Sequence, residues 1–353
     1  MNPLLGVLFH WTGGLASASF YVPYRKVRGW AWEVYWLIGG LVSWLVAPWL
    51  FAAIQTDDLT GVLSATPAQT LGWCAFFGVL WGFGGLTYGL TMRYLGLGLG
   101  TAIALSLCAF FGTLVPPVVE GRFLSEILPT VHGRIVLLGL ALCLAGICVI
   151  GWAARRRESD LPQAERLKVI SEYNLGKGLV VAIFCGVMSS CFAFGLAAGE
   201  PIRQLTAAAG TGPLWVGLPV LCVVLVGGTL TNLVWCGYLF VKNGSLKTLV
   251  TPLKDEAGRT PSLWVNLFWC ALAGLTWYLQ FFFYTMGESQ MGKYGFSSWT
   301  LHMASIILFS TLWGFALKEW KGTSAATRAI VGLGILLLIS STVVIGYGNS
   351  LAV

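Results

Sequence analysis

Charge is what this sequence is short of. Only 10% of its 353 residues are Asp, Glu, Lys or Arg, against roughly 25% in a soluble globular domain. That scarcity excludes water as the main solvent. The chain has three histidines, its nine cysteines never form a C-x-x-C pair, and it has no H-E-x-x-H. No metal site and no intramembrane metalloprotease is therefore expected. It also lacks G-x-x-x-x-G-K-[ST]. GLGLG at 96–100 opens an apolar run with no strand before it, so neither ATP-driven transport nor a nucleotide cofactor is indicated. No Lys or Arg precedes the first apolar run after Met1-Asn2-Pro3, so that run is expected to be a mature helix and not a cleaved leader.

What the chain has instead is apolar mass. Hydrophobic residues make up 57% of it, with 45 glycines and 17 tryptophans. Glycine lets membrane helices approach closely and tryptophan gathers at lipid headgroups. The composition is that of an all-α polytopic membrane protein with the bilayer as its partner. The cysteines fall in apolar segments and read as small buried hydrophobes. The net charge of +7 does not point to nucleic acid, because the basic residues sit in short loops between apolar runs.

A membrane helix needs about 20 mostly apolar residues, and ten runs meet that length: about 3–23, 32–54, 70–92, 97–118, 133–153, 177–199, 213–240, 263–286, 297–317 and 327–348. With these spans, 17 of the 21 basic residues fall on one side, among them Arg25, Arg28, Arg93, Arg155–Arg157, Arg166, Lys168, Lys254, Arg259, Lys318 and Lys321. Arg122, Arg134, Arg203 and Lys293 fall on the other. The positive-inside rule makes the crowded side cytoplasmic, so both termini are expected outside.

The densest polar stretch, 154–176, separates a first half at 1–153 from a second at 177–353. The halves echo each other. Gly14-x-x-Ser17-x-x-Phe20 matches Gly186-x-x-Ser189-x-x-Phe192, and Gly78-x-x-Trp81 followed by Tyr88 matches Gly274-x-x-Trp277 followed by Tyr284. Gly139 followed by Val149-Ile-Gly-Trp152 matches Gly334 followed by Val344-Ile-Gly-Tyr347. A five-span unit, repeated, enters the membrane in opposite senses. Inverted repeats of this kind characterise secondary transporters, whose substrate binds near the midplane between them.

Polar residues inside spans are site candidates. Gln280 shares a helical face with Trp277 and Tyr284, at i, i+3 and i+7. The amide could act as glue between helices. Alternatively, the rings could carry the C–H face of a sugar while the amide bonds its hydroxyls. In the matching span, Trp81 and Tyr88 flank Gly84, which leaves space where span eight places Gln280. His302 shares a face with Trp299, and His10 lies on a stripe with Gly14, Ser17, Tyr21 and Tyr24. His10, Gln280 and His302 all fall roughly 8–11 Å below the outer ends of their spans, which predicts a common cavity open from outside. His302, Glu33 and His10 are the candidates to carry a proton, histidine because it titrates nearest neutrality. Asn232 reads as glue, and Glu33 could instead reach the cytoplasmic surface. Glu120, Glu200, Glu288 and Glu319 fall at span ends or in loops.

The stretches Phe20–Val27 (FYVPYRKV), Trp30–Glu33 (WAWE), Tyr88–Gly96 (YGLTMRYLG), Trp277–Tyr284 (WYLQFFFY), Trp299–Met303 (WTLHM) and Lys318–Trp320 (KEW) resemble the L-rhamnose–proton symporter family of the drug/metabolite transporter superfamily. The resemblance covers nearly the whole chain. It implies ten helices in a bacterial inner membrane and uptake of a 6-deoxyhexose with a proton as the coupling ion. The chain departs from the pattern at Gly85, where asparagine is expected, and at Glu288, where histidine is expected. The expectation is a symporter working by alternating access. The other readings are an exporter or uniporter of another small metabolite, or a non-transporting sensor of the same ligand.

Overall fold

A computed structural model describes residues 1–160, 174–254, 260–317, 320 and 322–351, apart from the side chains at 96–99, 101, 158–160, 293 and 294. Arg166, Lys168, Arg259, Lys318, Glu319 and Lys321, with most of the 154–176 linker, lie outside the described residues.

All regular structure among the described residues is helical. Helix α1 (Pro3–Ser19) is capped by Asn2, whose side chain accepts from Leu5 N, with Pro3 in the first turn, where a missing N–H costs nothing. A short α2 (Tyr21–Tyr24) follows. Helices α3 (Trp32–Leu41) and α4 (Ala47–Gln55) are joined by a π turn at Val42–Val46. Pro48 explains that turn, since its ring excludes the carbonyl four residues back, at Trp44. The widened turn buries Trp44 completely. Then come α5 (Leu59–Ala65), α6 (Ala68–Val119), α7 (Val131–Asp160), α8 (Leu175–Ala198) and α9 (Glu200–Ala208). The second half continues with α10 (Leu218–Asn243), α11 (Lys247–Val250), α12 (Leu263–Gln290), α13 (Ser298–Ala316) and α14 (Ala325–Ser350).

Nine helical stretches among the described residues are long and apolar enough to cross a membrane. Helix α1, at 17 residues, spans about 25 Å and falls just short. Spans three and four, expected as separate helices, carry one unbroken helical assignment in α6. The chain nevertheless reverses inside it. Nine residues of straight helix cover about 13.5 Å, yet a methyl on Gly100 would stand 3.1 Å from the Thr91 carbonyl. Neighbouring residues of α8 confirm the hairpin: the Cys185 thiol bonds Gly84 O at 3.3 Å, while a methyl on Gly186 would lie 2.8 Å from Ala104 O.

The bundle packs backbone to backbone at glycines. A methyl on Gly78 would land on the Val224 carbonyl, one on Gly227 on the Ala75 carbonyl, and one on Gly274 on the Gly39 carbonyl. Helices α7 and α14 run antiparallel through reciprocal contacts, Gly139 against Ile345 and Gly334 against Ile150. Both chain ends lie at one face of the bundle: Asn2 N donates to Gln290 Oε1 at 3.1 Å, and Asn349 bonds Ser297 beside the start of α13. Arg25–Arg28 and Arg155–Arg157 lie at the opposite, basic face.

These close approaches set a test. Gly227→Ala pushes a methyl into backbone that cannot swing aside, and is expected to lower stability in detergent by about 1–3 kcal/mol. Gly237→Ala, where nothing stands within 4 Å, is expected to cause no loss. A thermal melt of Gly227→Ala matching that of the unaltered protein contradicts the packing described.

Candidate functional site

Three helices meet at the core of the site. Helix α12 brings Trp277, Gln280, Tyr284 and Glu288 along one stripe, α1 brings His10, and α13 brings Trp299 and His302. Glycines on α1 and α12 make the meeting possible. A methyl on Gly13 would stand 2.9 Å from the Gln280 carbonyl and 3.4 Å from His302 Cε1, and one on Gly287 would stand 2.8 Å from His10 Nε2. Ser305 ties α1 to α13 by donating to either the His10 or the His302 carbonyl, at 2.9 and 2.8 Å.

The Tyr284 ring packs against both imidazoles and forms a triangle with them, with centroids 5.4 Å from His10 and 5.3 Å from His302. The imidazoles themselves are 6.4 Å apart. Trp299 packs on Tyr284 at 5.7 Å, and its indole N–H donates to Cys108 O at 3.1 Å. Both histidines are fully buried and Gln280 nearly so, at 4% exposed. Among the described residues, neither ring nitrogen of His10 or of His302 has a hydrogen-bond partner, nor does Nε2 of Gln280. Five orphaned polar nitrogens thus converge in a packed interior, where such groups cost about 1–3 kcal/mol each.

Rings continue from this cluster toward the basic face. Phe192 stacks on Phe281 at 4.3 Å and on Trp299 at 5.9 Å, and meets Trp81 at 5.0 Å. Trp81 lies nearly parallel to Trp277, 5.6 Å away at 16°. Trp277 also packs against Trp36 and Trp44.

Above the histidines, a cavity of about 600 Å³ opens at the face that carries the chain ends. That volume lies within the range of small-molecule sites. Tyr284 and Trp299 line it, together with Arg203, Glu288, Glu200 and Glu120. A cavity is present, but it is not the common cavity of His10, Gln280 and His302 expected from the sequence, since none of the three lines it. His10, His302 and Gln280 lie behind Tyr284 and Trp299 instead of on its wall, because the aromatic side chains fill the space between. Arg203 binds Glu288 at 2.7 Å and Glu200 at 3.5 Å. These three are what the sequence reading missed. Glu288 sits one turn beyond Tyr284 on the stripe already singled out, which was the available signal. Its partner Arg203 is 85 residues away and carries no local mark.

The basic face is closed by polar contacts between the two halves of the chain. Asn266 accepts from Arg28 N at 3.1 Å and donates to Arg28 O at 2.8 Å, and Leu253 N donates to Gly29 O at 2.8 Å. Glu33 is placed here, away from the histidines. It is buried, and it accepts from Asn243 Nδ2 at 2.9 Å. Asn232 accepts from the Trp36 indole at 3.0 Å, so it does join helices as glue. Trp81 packs within the ring array, whereas Tyr88, half-buried on the same arm, stands about 10 Å further along the axis. Among the described residues, no group of three or more His, Cys, Asp or Glu side chains could hold a metal.

Comparison with known proteins adds the family. The family model for the L-rhamnose-proton symport protein matches residues 2–351. An L-rhamnose-proton symporter from Yersinia pestis (strain Pestoides F) is 37% identical over 347 residues, covering 98% of each chain. One from Cronobacter sakazakii is 38% identical over 346 residues, covering 98% of this chain and 97% of that one. The chain, with its buried histidine pair beneath a ring-floored cavity, belongs to the L-rhamnose–proton symporter family, whose members are transporters and not enzymes.

Proposed function

We propose that this chain imports a 6-deoxyhexose, L-rhamnose, together with a proton across a bacterial inner membrane by alternating access. The observation that carries the proposal is the convergence of His10, His302 and Gln280, with five partnerless nitrogens, directly behind the aromatic floor of the open cavity. A sugar supplies what those atoms lack, since its hydroxyls both donate and accept. Trp277, Tyr284 and Trp299 offer ring faces to its C–H surface, and Trp81 and Tyr88 extend that wall. The proton is the coupling ion, and the family implies no cofactor.

Ten helices in two inverted five-helix repeats, 1–153 and 177–353, complete the proposal, with α1 as the tenth. The reciprocal contacts Gly139–Ile345 and Gly334–Ile150 support this. So does the stacking of Trp81 on Trp277, because equivalent residues meet at a pseudo-two-fold axis. The positive-inside rule places the basic face in the cytoplasm and both termini outside. With that orientation, the open cavity and the closed basic face correspond to the outward-facing state. His302 is the first candidate for the proton carrier, with His10 and Glu33 next. One charge moved through 100 mV yields about 2.3 kcal/mol, roughly a 50-fold accumulation.

Proteoliposomes with an imposed pH gradient test the proposal. Labelled L-rhamnose should accumulate uphill, with one proton-dependent acidification per transport burst. Binding without flux identifies a sensor, and flux indifferent to the gradient identifies a uniporter.

Gln280→Ala is expected to weaken sugar binding by about 1–3 kcal/mol, with Gln280→Leu no better because it restores volume without hydrogen bonds. Unchanged calorimetric affinity in the folded Ala variant returns Gln280 to the role of helix glue.

His302→Gln should lose proton-driven accumulation while keeping counterflow exchange of sugar. If sugar entry in this variant still brings in protons at the normal ratio, the carrier is another residue.

A further inference from the structure

Glu288 is the carboxylate one turn from Tyr284, and it sits where the open cavity meets the histidine-bearing interior. It lines the cavity, with a side chain only 20% exposed. Its chain neighbour Gly287 is the residue against which His10 Nε2 packs, so that a methyl there would stand 2.8 Å from that nitrogen.

The partners of Glu288 make the arrangement switchable. Arg203 reaches Glu288 through Nη2 at 2.7 Å and Glu200 through Nη1 at 3.5 Å. One guanidinium thus serves two carboxylates, and the cluster carries a net charge of −1 in a partly buried cavity. A proton on Glu288 brings the cluster to neutrality and leaves Arg203 paired with Glu200, which is the more solvated of the two at 56% exposed. A simple one-to-one ion pair resists protonation, because the cation would be stranded. This triad does not strand it.

Other charges near the cluster are accounted for. Glu120 and Arg122, beyond the end of α6, bind each other. On its own helix Glu288 lies one turn from Tyr284, the Met1 terminus stands at the cavity lining, and both His10 and His302 lie behind Tyr284. Cys74 on α6 lies within electrostatic range of Arg203. The side chain of Lys293 lies outside the described residues.

We infer that the Glu288–Arg203–Glu200 triad is the proton-loading station on the open side. It takes a proton from the cavity onto the Glu288 carboxylate and passes it to the His10–His302 pair, where the sugar is bound. The transfer balances: hydronium outside gives up the proton and becomes water, Glu288 holds it while Arg203 shifts to Glu200, and a histidine nitrogen receives it as Glu288 returns to Arg203. The inference rests on the proposed proton symport and adds the residues through which the proton enters.

Two measurements test it separately. The first needs no transport: infrared titration of the detergent-purified protein for the protonated-carboxyl C=O band. A band should rise as the pH is lowered, vanish in Glu288→Gln, and move to lower pH in Glu200→Gln. The shift has that direction because removing one negative charge leaves Arg203 to hold Glu288 ionised alone. The same band in Glu288→Gln as in the unaltered protein, or none in either, overturns the inference even if the protein transports sugar normally.

The second is uptake into proteoliposomes at varied outer pH. Glu288→Gln should slow uptake driven by outer acidity by about tenfold or more, the equivalent of one pH unit, with counterflow of sugar retained and Glu288→Asp restoring most of the rate. Unchanged outer-pH dependence in Glu288→Gln overturns the loading role. Absence of any sugar flux in the unaltered protein overturns the proposed function instead, and the infrared result stands on its own. If Glu288→Gln does not fold, the exposed Glu200→Gln variant still reports, and a fixed pH midpoint there also sinks the triad.

Discussion

A polar atom held in a bilayer must be bonded by the protein or by something the protein carries, and this requirement organises the whole bundle. Hydroxyls along the helices meet it by bending back on their own backbone: Thr206 to Ile202, Thr229 to Leu225 and Thr311 to Ile307, each within 2.7–2.8 Å. Indoles meet it across helices, as Trp36 does on Asn232, Trp299 on Cys108 and Trp313 on Ser19. Against that background the groups left unbonded stand out. Most are single hydroxyls or indoles dispersed through the bundle, but around Tyr284 two imidazoles and an amide are left unbonded together. The rule that shapes the rest of the structure thus marks the place where a polar solute completes it.

Much of this was legible in the sequence because it depends on composition and period. The spans follow from lengths of apolar run, and the shared face of Trp277, Gln280 and Tyr284 follows from helical spacing. The convergence of His10, Gln280 and His302 followed from counting residues down from the span ends. What could not be read depends on partners far apart in the chain. Glu288 looked like a span-end carboxylate because its cation, Arg203, belongs to a different helix. The aromatic screen between cavity and histidines depends on how Trp299 and Tyr284 turn, which spacing does not specify. The reversal inside α6 falls at the glycine-rich stretch between spans three and four, yet no break in the helical hydrogen bonding marks it, so the two spans form one element. The π turn at Val42–Val46 was available from Pro48, whose demand on the preceding turn is local.

The two ends of the molecule are held by different forces. At the face of the chain ends, ions stand around a water-accessible hollow, and side chains can exchange partners there with little loss. At the basic face, hydrogen bonds to main chain, Asn266 to Arg28 and Leu253 to Gly29, join segments from opposite halves of the chain. Backbone clasps are directional and are lost whole when they part. A bundle built this way would favour discrete states over graded ones, since a half-opened clasp keeps neither its bonds nor the solvent that would replace them.

Between these ends lies the Trp81–Trp277 stack, with its ring planes 16° from parallel. Glycine contacts such as Gly78 on Val224 interlock two backbones and resist displacement in every direction. Two flat rings face to face resist separation but scarcely oppose slip, because sliding exchanges one set of dispersion contacts for another of similar size. Placed where the two halves of the chain meet, the pair is built as a greased bearing for the rocking that the proposed alternating access requires: it would keep the halves in touch while adding little friction of its own.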